Sequence, residues 1–124
     1  MINLSEILSM SKLDWYYHRS GWTSCGKAQG FLASHNLEPA SQDSTSSKKY
    51  TEADIPEILK DIDELYGARG KKTVHFDLSN AKPSQEEIAE YFLGRTGNFR
   101  APALRSGRTL VVGFNEEIYG KVFL

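Results

Sequence analysis

The chain has 124 residues, of which 40% are hydrophobic and 25% are charged, a balance typical of one globular domain. Its formal net charge of -1 excludes a general electrostatic attraction to nucleic acid or to an anionic membrane. The single cysteine, Cys25, excludes a disulfide within the chain and a cysteine-rich zinc site. No apolar run approaches the ~20 residues that cross a bilayer, and residues 1–20 lack a secretory apolar region, so we expect a cytoplasmic protein.

The first third of the chain predicts a strand, a loop and a helix. Residues 1–11 are expected to form an N-terminal extension with a weak helical stripe of apolar residues. Residues 12–18 are rich in aromatics and alternate, which predicts the first strand. Small polar residues around Trp22 form a loop, and apolar residues at helical spacing then predict a helix that ends near Asn36.

A second strand and a connector are predicted next. Residues 37–43 favour a short strand, and Pro39 places it at a sheet edge because proline has no N–H to donate. Residues 41–49 are rich in Ser, Thr and Lys and have no periodicity. We therefore expect them to form an exposed, flexible connector.

The middle of the chain predicts a long second helix. Thr51 and Asp54 have the spacing of a loosened capping box, and apolar residues follow at helical spacing over 55–66. Gly67 and Gly70 are expected to end this helix. Residues 72–78 then alternate between apolar and polar, which predicts a half-buried strand.

Three further elements are predicted towards the end of the chain. Ser84 and Glu87 form a capping box before a third helix that Gly94 ends. The segments 102–105 and 109–112 flank a Ser-Gly pair, which predicts a hairpin. Asn115 can cap a last short helix over 116–123. The alternation of strands and helices, without an internal repeat, predicts one α/β domain over 1–124 with a thioredoxin-like order of elements and a central mixed sheet flanked by helices.

Two segments together resemble the ArsC/Spx-like branch of the thioredoxin superfamily, which is related to arsenate reductase. The sequence WTSCGKA at residues 22–28 stands where that branch has Cys-x-x-Cys or Cys-x-x-Ser and a basic helix start. RAP at residues 100–102 resembles its Arg-Arg-Pro segment, and GFNE at residues 113–116 resembles its Gly-Tyr-Asn-Glu ending. The resemblance covers the first and last thirds of the chain. It implies a thioredoxin-like fold in which Pro102 is cis and faces the redox loop.

The resemblance also implies a redox site. In a Cys-x-x-Cys pair at a helix start, the first sulfur attacks and the second resolves the mixed disulfide. Position 22 would be the nucleophile and Cys25 the resolving thiol. The residues assigned to substrate binding are Thr23, Ser24, Lys27, Arg100, Ala101 and Pro102. The two cations of this set would stabilise the anionic sulfur or selenium, and the others would position the substrate.

Trp22 departs from the family pattern, because an indole is not a nucleophile. The branch includes relatives with selenocysteine at this position, and the selenocysteine codon UGA differs from the Trp codon by one base. Three explanations stay open. Residue 22 is naturally selenocysteine or cysteine and was replaced by readthrough or design; or Trp22 is native in a redox-inactive binding or regulatory module of the Spx type; or Cys25 acts alone. The first predicts a thiol/selenol-disulfide oxidoreductase whose Trp22 form is inactive.

The remaining expectations concern specificity. Gly26 and Ala101 stand where glutaredoxin-dependent arsenate reductases have arginines, so only Arg100 is left of their anion clamp. The arginines around Pro102 form either a cationic patch or the charged surface of a solvated hairpin, and His18 is a weaker candidate that could tune a thiolate. The patch would comprise Arg95, Arg100, Arg105 and Arg108.

Partners and cofactors follow from the same resemblance. The expected substrate is a disulfide-bearing protein or a small oxidised thiol, with glutathione, a thioredoxin or a glutaredoxin as electron donor and no bound cofactor. His35 and His75 have no ligand spacing, so no metal site is expected. We expect a monomer with no nucleic-acid or membrane partner.

Overall fold

The structure is a computed structural model that describes residues 13–19, 21, 23–94 and 97–124. The described residues form a mixed α/β fold in which a six-stranded sheet carries helices. The predicted N-terminal extension, residues 1–11, lies outside the described residues. The α/β class predicted from the sequence is confirmed.

The part of the chain that the structure describes contains six strands and four helices. The strands are β1 (Trp15–His18), β2 (Ser41–Ser44), β3 (Glu64–Arg69), β4 (Lys72–Asp77), β5 (Ala103–Ser106) and β6 (Thr109–Val112). The helices are α1 (Thr23–Ser34), α2 (Ile55–Ile58), α3 (Gln85–Phe92) and α4 (Glu116–Phe123), and a single 3-10 turn, Glu52–Asp54, precedes α2.

The strand order across the sheet is β2-β1-β5-β6-β3-β4. β1 is parallel to β2 and antiparallel to β5, which is antiparallel to β6. β3 runs parallel to β6 and forms an antiparallel hairpin with β4. The hairpin of β3 and β4 therefore extends a four-stranded unit, β2-β1-β5-β6, on its β6 side.

The sheet separates two apolar clusters, each made by side chains of alternating strand positions. One cluster joins the strands to α1 and α4 and includes Tyr16, Leu104, Val111, Phe31 and Tyr119. The other joins the opposite face to α2 and α3 and includes Tyr17, Leu65, Val112, Ile55 and Phe92. Helices thus cover both faces, which is how a sheet with a buried centre excludes water.

The prediction of one long helix over 55–66 is wrong. The Asp54 carboxylate accepts the Thr51 N–H at 2.8 Å, as a capping box requires, but α2 ends at Ile58. Asp61 has a positive φ of 64°, which a continuing helix does not allow. The rest of the apolar stripe belongs to β3, and Gly67 lies within that strand instead of ending a helix.

The first two strands also differ from their predicted bounds. β1 is shorter than the predicted 12–18. β2 begins after Pro39 and takes the first four residues of the predicted connector, 41–49. A polar segment can form this edge strand because its pairing with β1 uses backbone groups, which any residue except proline supplies.

Local capping signals predicted three elements well. The Ser84 hydroxyl accepts the Glu87 N–H at 3.1 Å at the start of α3. The Asn115 side chain accepts the Ile118 N–H at 2.9 Å, and α4 has the predicted bounds. The predicted hairpin is formed by β5 and β6. Gly94, however, does not cap α3 in the left-handed conformation, because Leu93 is already extended and bridges Phe99.

Gly113 fixes the end of β6 against two neighbouring segments. Its φ is +92°, and a Cβ at this position would overlap the carbonyl oxygen of Ala68 at the end of β3. The Gly113 N–H donates to the Pro102 carbonyl at 2.8 Å, and its carbonyl accepts the buried Tyr119 hydroxyl at 2.7 Å. Only glycine allows this conformation and this close approach together.

Replacing this glycine should therefore destabilise the domain strongly. We expect Gly113→Ala to lower the free energy of unfolding by more than about 2 kcal/mol, because both the left-handed backbone and the overlap oppose a methyl group. Gly120→Ala is the matched control: it lies within α4 with open space around it and should be neutral or stabilising by up to ~1 kcal/mol. Urea unfolding of both variants checks this, and equal stabilities would contradict it.

Candidate functional site

Cys25 lies where the sequence predicts a redox cysteine. It is the third residue of α1, which follows β1 after a short loop, and it is 4% exposed. Its sulfur accepts the backbone N–H of Arg19 at 3.4 Å, and its carbonyl accepts the Tyr16 hydroxyl at 3.5 Å. The thiol is thus held between the end of β1 and the first turn of α1.

The surroundings of Cys25 keep its thiol protonated. Burial raises the pKa of Cys25, and the backbone N–H and the positive charge of Arg19 oppose that rise only in part. Burial is also the main cause that raises the pKa of Tyr16 to about 12, and the nearby Cys25 raises it further. Because the thiolate is the nucleophile, a buried and protonated thiol suits a resolving role better than a first attack. This weighs against Cys25 acting alone.

The segment before β5 reaches the same end of the sheet. Tyr17 of β1 pairs with Ala103 of β5, so the residue after Tyr17 and Pro102 flank one sheet end. The Ala101–Pro102 peptide bond is cis, as the resemblance implied, and the Pro102 side chain is fully buried. Cys25, Ala101 and Ala103 belong to one apolar cluster. Cys25 and the proline segment therefore share a core.

Arg100 is engaged with backbone carbonyls. One terminal nitrogen, Nη1, donates to the carbonyls of Ala68 at 3.1 Å and Tyr91 at 2.7 Å. Burial lowers the pKa of Arg100, and the neighbouring charge of Arg69 lowers it further. Arg100 thus ties the ends of β3 and α3 to the segment before Pro102. Its predicted action on an anion at position 22 stays a prediction.

The other predicted binding residues lie on α1 or outside the described residues. Thr23 begins the helix and is exposed, and Ser24 follows it in the first turn. Lys27 is exposed and lines a cavity of about 430 Å³ with Phe114. Trp22, the predicted nucleophile position, lies outside the described residues.

The expected arginine patch around Pro102 does not form within the described part of the chain. Arg105 pairs with Trp15, at the opposite end of β1 from Cys25. Arg108 lies in the turn between β5 and β6, where Asp63 binds its Nε at 2.5 Å. Arg95 lies outside the described residues. β5 runs from Pro102 towards the other end of the sheet. The two arginines of the hairpin, Arg105 and Arg108, therefore lie away from Pro102.

Two neighbours of Cys25 were not singled out by the sequence. Arg19 supplies a backbone donor and a charge, and Tyr16 supplies a hydroxyl. The strand pattern could have indicated Tyr16, because successive residues of a strand point to opposite faces of the sheet. If Tyr17 points towards α2 and α3, Tyr16 points towards α1. His18 is half-buried, and its ring centroid is 5.2 Å from that of Tyr16. No described contact joins His18 to the Cys25 sulfur.

The sequence matches no protein-family model and no curated protein at a significant level. Among the helices that the structure describes, none is both long and apolar enough to cross a membrane. Within the same residues, no three His, Cys, Asp or Glu side chains come together as a metal-binding group.

The burial of Cys25 predicts the pH dependence of its reactivity. Alkylation by iodoacetamide should reach half its maximal rate at a pH above that of N-acetylcysteine, because burial disfavours the thiolate. The raised pKa means that the stability contributed by the protonated thiol is present below the ordinary thiol pKa and is lost as pH rises through the folded value. Mass spectrometry of the alkylated chain at a series of pH values measures the rate.

Two comparisons sharpen this measurement. In urea the inflection should return to that of N-acetylcysteine, since unfolding removes the burial. In Arg19→Gln it should move higher, because the substitution removes a positive charge that lowers the pKa of Cys25. If the inflection of the folded chain lay below that of N-acetylcysteine, the positive end of the helix dipole, and not burial, would determine the pKa of Cys25.

Proposed function

We propose that the chain is a thiol/selenol-disulfide oxidoreductase of the ArsC/glutaredoxin-like type on a thioredoxin-like fold. The observation that supports this most is the placement of Cys25 in the first turn of α1, directly after β1, beside the segment of Ala101 and Pro102. The strand order β2-β1-β5-β6, with β1 parallel to β2 and antiparallel to β5, is the order expected of a thioredoxin-like unit. On this proposal the hairpin of β3 and β4 is an addition to that unit.

The start of α1 favours an anion at the preceding position. The helix has twelve residues and no acidic residue in its first turn, so no side chain cancels the positive end of its dipole. Lys27, one turn further, adds an exposed positive charge. A thiolate or selenolate directly before Thr23 would be stabilised by both effects, which lower the pKa of a helix-start cysteine.

The reaction proceeds by two exchanges. The thiolate or selenolate of residue 22 attacks one sulfur of the substrate disulfide; a bond forms to that sulfur, and the other leaves as a thiolate that takes up a proton. The Cys25 thiol loses its proton to solvent and its sulfur attacks residue 22, which releases the second substrate thiol. The substrate gains two electrons and two protons, and residues 22 and 25 are left joined. Two thiols of glutathione, or a reduced thioredoxin or glutaredoxin, then return both residues to the reduced state and become a disulfide.

The burial of the Cys25 thiol fits this order of events. A protonated, buried resolving thiol does not compete for the substrate in the first step. Attack on residue 22 needs only a local rearrangement of the first turn, since positions 22 and 25 have the spacing of a helix cap and its third residue. Tyr16 and the Arg19 N–H hold the cysteine in place during the first exchange.

Trp22 supports the alternative, a redox-inactive binding or regulatory module of the Spx type. With Trp22 the chain has one cysteine and lacks the first sulfur of the pair. The chain would then bind a peptide or partner without turnover. The two functions differ in what residue 22 is in the natural protein.

Supplying the missing sulfur should create exchange activity. Because removal of a nucleophile costs several orders of magnitude, Trp22→Cys should reduce insulin or a glutathione mixed disulfide at least ~100-fold faster than the Trp22 chain. The oxidised variant should contain a bond between residues 22 and 25, which peptide mapping detects. Equal activity of the two chains would contradict the assignment.

Two control variants separate the roles of the residues. Trp22→Ser removes the indole without adding sulfur and should stay inactive. Trp22→Cys combined with Cys25→Ser should accumulate the mixed disulfide with substrate, because the resolving thiol is absent. Rapid turnover of that double variant would show that Cys25 is not the resolving thiol.

The natural identity of residue 22 is decided by the third base of its codon. Adenine gives UGA and supports a selenoenzyme in which Trp22 stands for selenocysteine. Guanine gives UGG and supports a native tryptophan and the binding module. Sequencing the source gene distinguishes the two, and it does so independently of the activity of any variant.

A further inference from the structure

A cavity of about 700 Å³ lies at the end of the sheet opposite Cys25. Its wall includes the first residue of β1, Trp15, and its pairing partner in β5, Arg105. Tyr50 and α2, through Glu57 and Ile58, also line the cavity. The volume is within the range of small-molecule sites in proteins, which is about 300–1,000 Å³.

Aromatic and aliphatic side chains give the cavity an apolar wall. The rings of Trp15 and Tyr50 meet edge to face, with centroids 6.0 Å apart, and Ile58 and Leu110 complete the apolar lining. The Trp15 Nε1–H already donates to Asp43 at 2.9 Å. The indole therefore offers a ligand its carbon ring rather than its hydrogen-bond donor, which favours an aromatic group in contact with it.

Most of the charged groups in the lining already have partners. Asp63 binds Arg108 through two hydrogen bonds, and the Lys48 Nζ lies 5.4 Å from the centroid of the Tyr50 ring. Asp14 accepts the Gly107 N–H. These contacts leave the cavity with few groups that could recognise the charge of a ligand.

Two side chains of opposite charge keep polar atoms that have no hydrogen-bond partner among the described residues. Arg105 donates its Nε to the Gly107 carbonyl at 2.9 Å, and no described residue accepts a hydrogen bond from its Nη atoms. The Glu57 side chain is exposed, and its carboxylate has no ion-pair or hydrogen-bond partner among the described residues. The lining thus presents one guanidinium and one carboxylate beside an aromatic wall.

We propose that this cavity binds a short peptide zwitterion that carries an aromatic side chain. The aromatic ring lies against Trp15 and Tyr50, the carboxylate is bound by Arg105, and the ammonium is bound by Glu57. A zwitterion can bind both the Arg105 guanidinium and the Glu57 carboxylate, whereas a ligand with a single charge is attracted by one of them and repelled by the other. A dipeptide fits the volume and carries both charges at its termini.

The site is independent of the proposed redox chemistry. β1 runs from Trp15 at the cavity to His18, and Cys25 lies beyond that far end. The Cys25→Ser variant should therefore bind the same ligand with the same affinity. Failure of the exchange assay would leave this proposal untouched, and failure of binding would leave the redox proposal untouched.

The test uses four forms of one dipeptide with the full chain. Phe-Gly is the zwitterion; N-acetyl-Phe-Gly is an anion, Phe-Gly-amide a cation, and the doubly blocked form is neutral. Calorimetry gives the affinities, and the indole N–H signal of Trp15 in a Trp22→Phe chain reports contact at the cavity. We expect Phe-Gly to bind best, each single block to weaken binding about fivefold, and Ala-Gly to bind at least about tenfold more weakly.

Single substitutions assign each charge. Glu57→Gln should remove the advantage of a free ammonium and keep that of the carboxylate, and Arg105→Gln should do the reverse. Lys71→Gln, an exposed cation in the turn between β3 and β4, is the control and should change nothing. Circular dichroism of each variant shows that the fold is kept. Equal affinity for the four forms, or no shift of the Trp15 signal up to about 10 mM peptide, would overturn the proposal.

Discussion

The close approach of Gly113 to Ala68 is the constraint on which the arrangement of the candidate site depends. One glycine joins the ends of β3 and β6, binds the Pro102 carbonyl through its N–H, and accepts the hydroxyl of Tyr119. These bonds connect the proline segment to a helix on one face of the sheet. Arg100 makes the matching connection to α3 on the other face. The proline segment that shares a core with Cys25 is therefore held from both sides.

This arrangement places the candidate site at one end of the domain without opening the core. Cys25 belongs to the same buried cluster as Ala101 and Ala103, so packing that stabilises the fold also positions the thiol. Burial keeps that thiol protonated, while the helix start before Thr23 favours an anion at position 22. In the proposed mechanism, position 22 thus favours an anion and position 25 a neutral thiol. This difference assigns the attack to residue 22 and the resolving step to Cys25.

Sequence reasoning succeeded where structure is set locally. The caps of Ser84 and Asn115 follow from residues within one turn. Reasoning from pattern placed Cys25 in the loop before the first helix, and only the family resemblance put it at a helix start. It failed over 55–66, because an apolar stripe at helical spacing also fits a short helix followed by a strand, and only pairing with β4 and β6 decides between them. The contacts of Arg100 were equally inaccessible, since their partners are 32 and 9 residues away in the chain.

The hairpin of β3 and β4 also determines which strands are open to other molecules. Without it, the apolar strand β6 would be a sheet edge, with its backbone groups free to pair with a second chain. With it, the edge strands among the described residues are β2, which is entirely polar, and β4, which begins with Lys72 and ends with Asp77. Charged and polar edges resist strand addition between molecules. The hairpin therefore protects the chain against aggregation through its sheet, a property that bears on how well it survives at high concentration.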